Sequence, residues 1–234
     1  MIDLSRRDGR MLRIGHRGAA ALAPENTIES MRLAVELGCD LVEFDVHELE
    51  GTLVLAHDRP AGRPDCLPTL DEALAFLAAT DAGAHLDLKA VGAEEAVAEA
   101  LRRHGLVERT VVSSFRPETL RALAAVEPAL RLGLTYPEDR RGLVQRRAVA
   151  PLVGPALAAM RAALPFRIPR FLAGAGASAA MLHFAVVSKA AVERCHSLGA
   201  PVLVWTVDEH AWVTRLQTMG ADGVITNNPH IFDV

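Results

Sequence analysis

The feature that most constrains this chain is the alternation, from one end to the other, of short strand-forming runs with longer runs that carry the apolar period of a helix. Such alternation predicts parallel strands joined by helices. We predict eight strands, at residues 12–16, 40–47, 85–89, 110–114, 131–135, 181–187, 201–207 and 221–226, and a further extended segment at 52–57. Eight is the strand count of a closed (β/α)8 TIM barrel, which we take as the fold class, although a doubly wound open sheet has the same alternation.

Local signals mark where helices begin. Asn26 with Glu29, and Thr69 with Glu72, have the spacing of capping boxes. We predict further helix starts at Pro117, Ser188 and Asp208. The length of 234 residues is close to the roughly 250 residues that are usual for such a barrel. We therefore predict a single domain over residues 1–234.

One region, from about 140 to 178, departs from the simple pattern because it is long and mostly apolar. We predict one or two helices and a loop there, broken by Pro151, Pro155 and Pro165. The prolines and Arg161 disfavour a spanning helix, which needs about 20 apolar residues. A helix packed on the barrel fits this composition, and so does a helix lying on an anionic membrane surface, because arginines surround the region. Those arginines are Arg140, Arg141, Arg146, Arg147, Arg161, Arg167 and Arg170.

Charge, cysteine content and the N-terminus limit the partners and the compartment. The 25 basic and 29 acidic residues give a net charge of −4 without a long run of one sign, so we expect no nucleic-acid partner. Cys39, Cys66 and Cys195 are too far apart for a disulfide framework or a CxxC metal site. Residues 1–10 are charged and precede no apolar stretch of a signal peptide, so a cytoplasmic location is expected.

Polar residues collect where the predicted strands end, which is where (β/α)8 barrels place their active sites. They are His16, Arg17, Glu43, Asp45, His47, Asp87, Lys89, Ser113, Ser114, Trp205, Asp208 and Asn227. Side chains two residues apart point to the same side of a strand, so Glu43 and Asp45 share a face, as do His85 and Asp87. Carboxylates inside a barrel are unfavourable unless they are paired or bind a cation. Glu43, Asp45 and Asp87 form an oxygen set that suits Mg²⁺ or Ca²⁺.

The other charged residues near these strand ends indicate the chemistry. His16 and His57 suit general acid–base catalysis near neutral pH. Arg17 and Lys89 suit binding of phosphate oxygens, and Trp205 fits either a pocket wall or the core. Together with a cation, these residues favour phosphoryl transfer, although sugar isomerisation and aldol chemistry also occur on this fold. We interpret His47 and His85 as packing or supporting residues.

Four short motifs resemble, in order and spacing, the signature of the glycerophosphodiester phosphodiesterase family. They are His16-Arg17-Gly18, Pro24-Glu25-Asn26-Thr27, Glu43-Phe44-Asp45 and His57-Asp58. Further matches are Asp87-Leu88-Lys89, Ser113-Ser114-Phe115, Trp205-Thr206-Val207-Asp208 and the closing stretch 220–226. The resemblance covers nearly the whole chain except about 140–178.

The resemblance implies a (β/α)8 barrel that hydrolyses glycerophosphodiesters to glycerol 3-phosphate and an alcohol with one divalent cation. His16 and His57 are then the acid–base pair, and Glu43 and Asp45 are metal ligands, with Arg17 as a phosphate binder. The route that the family suggests has a glycerol hydroxyl of the substrate attack phosphorus to give a cyclic phosphate, which water opens.

Two departures from the family pattern affect the expected substrate. The family normally has Glu where Asp87 stands, and the shorter side chain withdraws the carboxylate by one C–C bond, about 1.5 Å. The family also carries a capping insertion after His57-Asp58, where only residues 59–68 precede the next helix here. A more open mouth would admit a bulkier head group, as in the related lysophospholipase D and sphingomyelinase D-like enzymes. A barrel that binds phosphodiesters without turnover is a further alternative.

Overall fold

A closed sheet of eight parallel strands forms the centre of the fold. The computed structural model describes residues 1–59, 66–137 and 150–233. Its strands are β1 (Leu12–Gly15), β2 (Leu41–Leu49), β3 (Thr52–Leu55), β4 (Gly83–Leu88), β5 (Thr110–Ser114), β6 (Arg131–Tyr136), β7 (Ala179–His183), β8 (Val202–Trp205) and β9 (Gly223–Thr226). The strand order is β1-β9-β8-β7-β6-β5-β4-β2, and a further β1–β2 pairing closes it. The predicted (β/α)8 barrel is confirmed, and the open sheet is excluded by that closure.

The extended segment predicted at 52–57 is β3, which lies outside the ring. It pairs antiparallel with the last part of β2, with Val46 opposite Leu55 and Leu49 opposite Thr52. This hairpin carries the chain from the end of β2 to His57 at the mouth of the barrel. The hairpin therefore brings a residue that no barrel strand carries to the same rim as the strand ends.

The interior of the barrel changes from apolar to polar along each strand. Its lower layers are apolar, and Ile2 and Leu4 from the N-terminal segment pack against them. Those layers contain Leu12, Ile14, Leu41, Val111, Met181, Leu203 and Ile225. Because side chains alternate along a strand, Leu41 is followed on the same side by Glu43 and Asp45. The polar residues thus lie above an apolar plug, at the carboxyl ends of the strands.

Helices cover the outer face of the sheet and build the larger hydrophobic core with it. They are α1 (Ile28–Glu36), α2 (Leu70–Ala78), α3 (Glu94–Arg103), α4 (Pro117–Val126), α5 (Ala150–Ala175), α6 (Lys189–His196) and α7 (His210–Met219). Three predicted starts are confirmed. Thr69 and Glu72 form a capping box, Ser188 accepts from the N–H of Ala191, and Pro117 is the first residue of α4.

Two predicted helix caps are wrong. Thr27, and not Asn26, caps α1, in a capping box with Ser30. The helix α7 begins after Glu209, whose side chain makes no cap, and the carboxylate of Asp208 binds Asn227 instead. Both errors have one cause, because local spacing rules cannot see a partner on a distant strand.

The prediction that prolines break the 140–178 region is also wrong for residues 150–175. The helix α5 runs through Pro155, Pro165 and Pro169. Each proline removes one helical hydrogen bond, but a stripe of side chains one turn apart packs on the barrel and outweighs that loss. Leu164 and Ile168 in this stripe are 1% and 2% exposed. The part of the prediction that covers residues 140–149 lies outside the described residues.

Membrane contact by this region stays a prediction. In the described part of the chain, no helix has both the length and the apolar content that crossing a bilayer requires.

Candidate active site

A cavity opens at the carboxyl ends of the barrel strands. It is lined by six of the predicted site residues that carry charge or can carry it, and by Trp205. The six are His16, Arg17, Glu43, His57, Asp87 and Lys89. The remaining predicted residue, Asp45, is 1% exposed and contacts Lys89 and Arg17. The structure therefore brings all the predicted site residues together.

Three buried carboxylates meet at the floor of this cavity. Glu43, Asp45 and Asp87 each offer an oxygen, and these oxygens lie within 4.8 Å of one another. The register of the sheet explains the convergence, since Asp45 on β2 lies directly beside Asp87 on β4. The shorter side chain of Asp87 does not remove it from the cluster. Three hard oxygen donors at this spacing fit a divalent cation.

The electrostatics of the three carboxylates also favour binding of a cation. Burial raises the pKa of Glu43 well above its usual value, and the charges of Asp45 and Asp87 raise it further. Burial also opposes the ionisation of Asp45, but Lys89 and Arg17 outweigh it and leave the pKa of Asp45 below normal. Ionising all three acids is energetically costly without additional positive charge. A bound divalent cation would supply that charge.

Lys89 and Arg17 lie directly against these carboxylates. The ammonium of Lys89 is 3.0 Å from Asp45 Oδ1 and also bonds Asp87 Oδ2. Burial lowers the pKa of Lys89, but the two carboxylates raise it more, so the amine is charged. The Nε of Arg17 is 3.2 Å from Asp45 Oδ2, and its Nη1 donates to Glu25 at 2.7 Å. Both predicted phosphate binders therefore place positive charge beside the candidate cation ligands.

Asn26 holds Asp45 in place through two hydrogen bonds. Asn26 was not predicted from the sequence as a site residue. Its amide nitrogen donates to Asp45 Oδ2 at 3.0 Å, and its amide oxygen accepts from the backbone N–H of Asp45 at 3.0 Å. The backbone of Asn26 has φ of 58°, a left-handed conformation that Asn tolerates better than most residues. Its place in the Pro24–Thr27 motif was the signal that could have identified it.

A tight turn after β1 positions His16. Arg17 and Gly18 have φ of 50° and 81°. A Cβ on Gly18 would lie 2.3 Å from the hydroxyl of Ser30 on α1, so only glycine fits there. The turn also directs the backbone N–H of Arg17 to Glu43 Oε2, at 2.8 Å. The His16-Arg17-Gly18 sequence thus fixes a histidine and a carboxylate at once.

A hydrogen-bond relay fixes the ring of His16. Asp208 accepts from the side-chain amide of Asn227 at 2.7 Å and from its backbone N–H at 2.8 Å. The oxygen of Asn227 therefore faces His16 Nδ1, at 2.7 Å. Since an amide oxygen only accepts, Nδ1 carries the proton and Nε2 has a free lone pair when the ring is neutral. Nε2 lies 3.9 Å from Glu43 Oε2.

The two histidines of the site lie in different surroundings. Burial lowers the pKa of His16, and this outweighs the opposing effect of the hydrogen bond to Asn227, so the ring is neutral near pH 7. The side chain of His57 is 41% exposed, and its Nδ1 is 3.1 Å from Asp58 Oδ1. His47 Nε2 donates to the backbone oxygen of His57 at 3.3 Å. The site therefore pairs a buried, neutral imidazole with an exposed one beside a carboxylate.

The sequence of this chain matches the glycerophosphoryl diester phosphodiesterase family over residues 16–75 and 63–231. The chain belongs to this family. A glycerophosphodiester phosphodiesterase of Caldanaerobacter subterraneus is 27% identical, over 92% of this chain and 93% of that protein. An enzyme of the same name from Bacillus subtilis is 24% identical, over 95% and 85%.

Solved structures share the fold. A phosphodiesterase of Oleispira antarctica, in complex with the product sn-glycerol-3-phosphate, has a TM-score of 0.74 and 22% identity, covering 95% of this chain and 97% of that chain. A glycerophosphodiester phosphodiesterase of Agrobacterium tumefaciens has a TM-score of 0.72 and 24% identity, covering 95% and 98%.

In this member of the phosphodiesterase family, an aromatic wall formed by Trp205 and Phe115 lines the same cavity as Glu43 and Asp87. The indole of Trp205 meets the ring of Phe115 edge-on, with centroids 5.8 Å apart, and donates to the backbone oxygen of Met181 at 3.0 Å. The ammonium of Lys89 lies 5.3 Å from the centroid of Phe115. Phe115 was part of a recognised motif but was not predicted as a site residue. The wall gives the cavity one apolar side next to its charged floor.

A buried histidine of this family member contacts the cluster through a serine. His85 on β4 is 2% exposed, and its Nε2 is 2.9 Å from the hydroxyl of Ser113 on β5. That hydroxyl donates to Asp87 Oδ1 at 3.1 Å. Burial lowers the pKa of His85 to about 3, so this ring is neutral.

Proposed function

We propose that this chain hydrolyses glycerophosphodiesters to glycerol 3-phosphate and an alcohol, with one divalent cation, Mg²⁺ or Ca²⁺, bound by Glu43, Asp45 and Asp87. The observation that carries the proposal is the convergence of three buried carboxylate oxygens within 4.8 Å of one another, in the cavity that also holds two histidines. Membership of the phosphodiesterase family supports the reaction class. A barrel that only binds phosphodiesters would need neither the cation set nor both histidines.

The two histidines have separate roles in the first step. Nε2 of His16 takes a proton from a glycerol hydroxyl of the substrate as that oxygen attacks phosphorus, because its ring is neutral and oriented by Asn227. His57, at the exposed edge of the cavity, protonates the oxygen of the leaving alcohol. In the second step water opens the cyclic phosphate, and the two histidines exchange roles.

The positive groups hold the phosphate during both steps. The cation, when bound, neutralises charge on the phosphoryl oxygens and offsets the three carboxylates. Arg17 presents the delocalised charge of its guanidinium to the phosphate, and Lys89 presents a point charge. Trp205 and Phe115 supply an apolar face for the carbon atoms of the substrate.

An assay against glycerophosphodiesters and lysophospholipids tests the proposal. We expect activity to disappear in chelator and to return when Mg²⁺ or Ca²⁺ is added. Full activity in chelator would remove the cation from the mechanism. The panel also identifies the alcohol that leaves.

We propose membrane-surface contact through α5 as a variant of this function, with lysophospholipids as substrates. It is supported by Phe166, which is 87% exposed, and by the neighbouring exposed Arg167 and Arg170. Flotation with anionic liposomes should recover the wild type and less of a Phe166→Ser variant. If the anionic liposomes recover neither protein, or recover both equally, this contact is ruled out.

The relay to His16 predicts how the reaction depends on pH. Because burial lowers the pKa of His16, we expect the acidic limb of the kcat/KM profile to lie below pH 6.5, the ordinary value for histidine. The double variant Asn227→Asp/Asp208→Asn exchanges the amide and the carboxylate. A carboxylate beside Nδ1 stabilises the protonated ring, so the acidic limb should move to higher pH. An unchanged limb would show that another group controls it.

A further inference from the structure

We propose that His85 and Ser113 are positioning residues, which together hold Asp87 in the orientation that binds the cation. The inference rests on the proposed cation site and adds two residues to it. His85 and Ser113 make a chain of two hydrogen bonds, of 2.9 Å and 3.1 Å, that ends on Asp87 Oδ1. All three side chains are at least nine-tenths buried and lie inside the barrel.

The donor and acceptor roles in these two hydrogen bonds follow from the chemistry of Asp87, where they end. An ionised Asp87 can only accept, so the Ser113 hydroxyl donates its one proton there. The hydroxyl must then accept from His85, which places the imidazole proton on Nε2. Donation from His85 occupies a lone pair of the hydroxyl oxygen and keeps the hydroxyl proton directed at Asp87. The neutral imidazole does this without adding positive charge to the cation site.

Asp87 depends on this bond more than its neighbours depend on theirs. The amide of Asn26 bonds both Oδ2 and the backbone N–H of Asp45. Glu43 accepts from the backbone N–H of Arg17. Among the described residues, the other side-chain contact of Asp87 is Lys89. The ammonium of Lys89 carries the same sign of charge as a cation and competes with it for the carboxylates. The Ser113 hydroxyl is neutral and can stay in place when a cation binds.

The burial of His85 supports a role beyond packing. Its Nδ1 has no hydrogen-bond partner among the described residues, and a buried nitrogen without a partner is unfavourable. The residues beside His85 on the neighbouring strands are Glu43 on β2 and the apolar Val111 on β5. An apolar residue at position 85 would leave no unpaired nitrogen there. What an apolar residue cannot supply is the proton that orients Ser113.

Cation binding to the whole chain, measured by isothermal titration calorimetry with Mg²⁺ and with Ca²⁺, tests the proposal. Removing the groups that orient a ligand typically weakens metal affinity about 10- to 100-fold. We expect a loss of this size for Ser113→Ala and for His85→Leu, and no further loss in the double variant, because the residues act in series. We expect His85→Gln, whose amide can donate, to recover part of the affinity.

Ser114→Ala is the matched control. Ser114 lies next to Ser113 on β5, is equally buried, and donates to the backbone oxygen of Leu88 instead of to Asp87. Its cation affinity should equal that of the wild type. The melting temperature of each cation-free protein separates a loss of stability from a loss of affinity, and Ser113→Ala decides the matter if His85→Leu does not fold.

The outcomes distinguish this inference from the proposed function. If the wild type binds a cation and Ser113→Ala binds it equally well, the positioning role is wrong while the proposed function stands. If the wild type binds neither cation, the cation site itself is wrong, and the positioning role falls with it. Recovery of kcat in Ser113→Ala at saturating cation would further support action through the cation.

Discussion

Replacement of His16 by alanine is expected to lower kcat/KM for a glycerophosphodiester by about 10²- to 10⁴-fold, the usual contribution of a general acid or base. The ring of His16 is held through Asn227 and Asp208 so that Nε2 faces the cavity, and no other described imidazole lies in the same relay. The loss should appear mainly in kcat, because His16 acts on a proton and not on substrate affinity. Steady-state kinetics at saturating cation measure it.

The identity of the leaving group separates the two histidines. A glycerophosphodiester with a nitrophenol leaving group needs little help from an acid in the first step. His57→Ala should therefore recover much of its rate of nitrophenol release in the first turnover, whereas His16→Ala should not, because the attacking hydroxyl still needs a base. His230→Ala, at an exposed histidine that bonds Asp233, is the control and should retain full activity. Equal recovery by both site variants would contradict the separate roles.

The sequence predicted the barrel well because its signals are local and repeated. Each strand is a short apolar run, and most helices have a cap or a stop within a few residues, as at Thr69 and Ser188. The sheet then adds the long-range order, since the register of parallel strands brings side chains at strand ends to one rim. For this reason Glu43 and Asp87, 44 positions apart in the sequence, could be predicted to meet.

The parts of the site that sequence reasoning missed depend on bonds between distant segments. Asn26 and Asp208 have side chains that suit helix caps, and the spacing rules for caps do not show that each instead binds a group across the rim. His85 was correctly placed inside the barrel, but its bond to Ser113 depends on how β4 and β5 are aligned. The path of α5 through its prolines depends likewise on the surface it packs against. Such features follow from tertiary contacts, which local rules do not contain.

The substitution Glu43→Gln is expected to change activity and stability in opposite directions. Loss of one anionic ligand should lower kcat/KM by about 10³-fold or more, since a catalytic cation contributes several kcal/mol and about 1.4 kcal/mol corresponds to a factor of ten. Glutamine has the shape of glutamate and can still accept from the backbone N–H of Arg17. The fold should therefore persist while the cation is lost.

The stability of the cation-free protein should rise with this substitution at neutral pH. Burial and the neighbouring carboxylates raise the pKa of Glu43 in the folded chain, so the folded state holds this proton more tightly than the unfolded state does. The free energy of unfolding therefore falls as pH increases from the unfolded pKa, about 4.3, towards the higher folded value. Glutamine does not titrate, so the variant lacks this decrease in the free energy of unfolding.

Urea unfolding of both proteins in chelator, at pH 5 and at pH 8, measures the effect. The free energy of unfolding of the variant should increase relative to that of the wild type as pH rises. Added Mg²⁺ or Ca²⁺ should reverse the order by stabilising the wild type alone, because the cation supplies the charge that the three carboxylates lack. A variant that is less stable than the wild type at pH 8 in chelator would mean that Glu43 is ionised and satisfied without a cation.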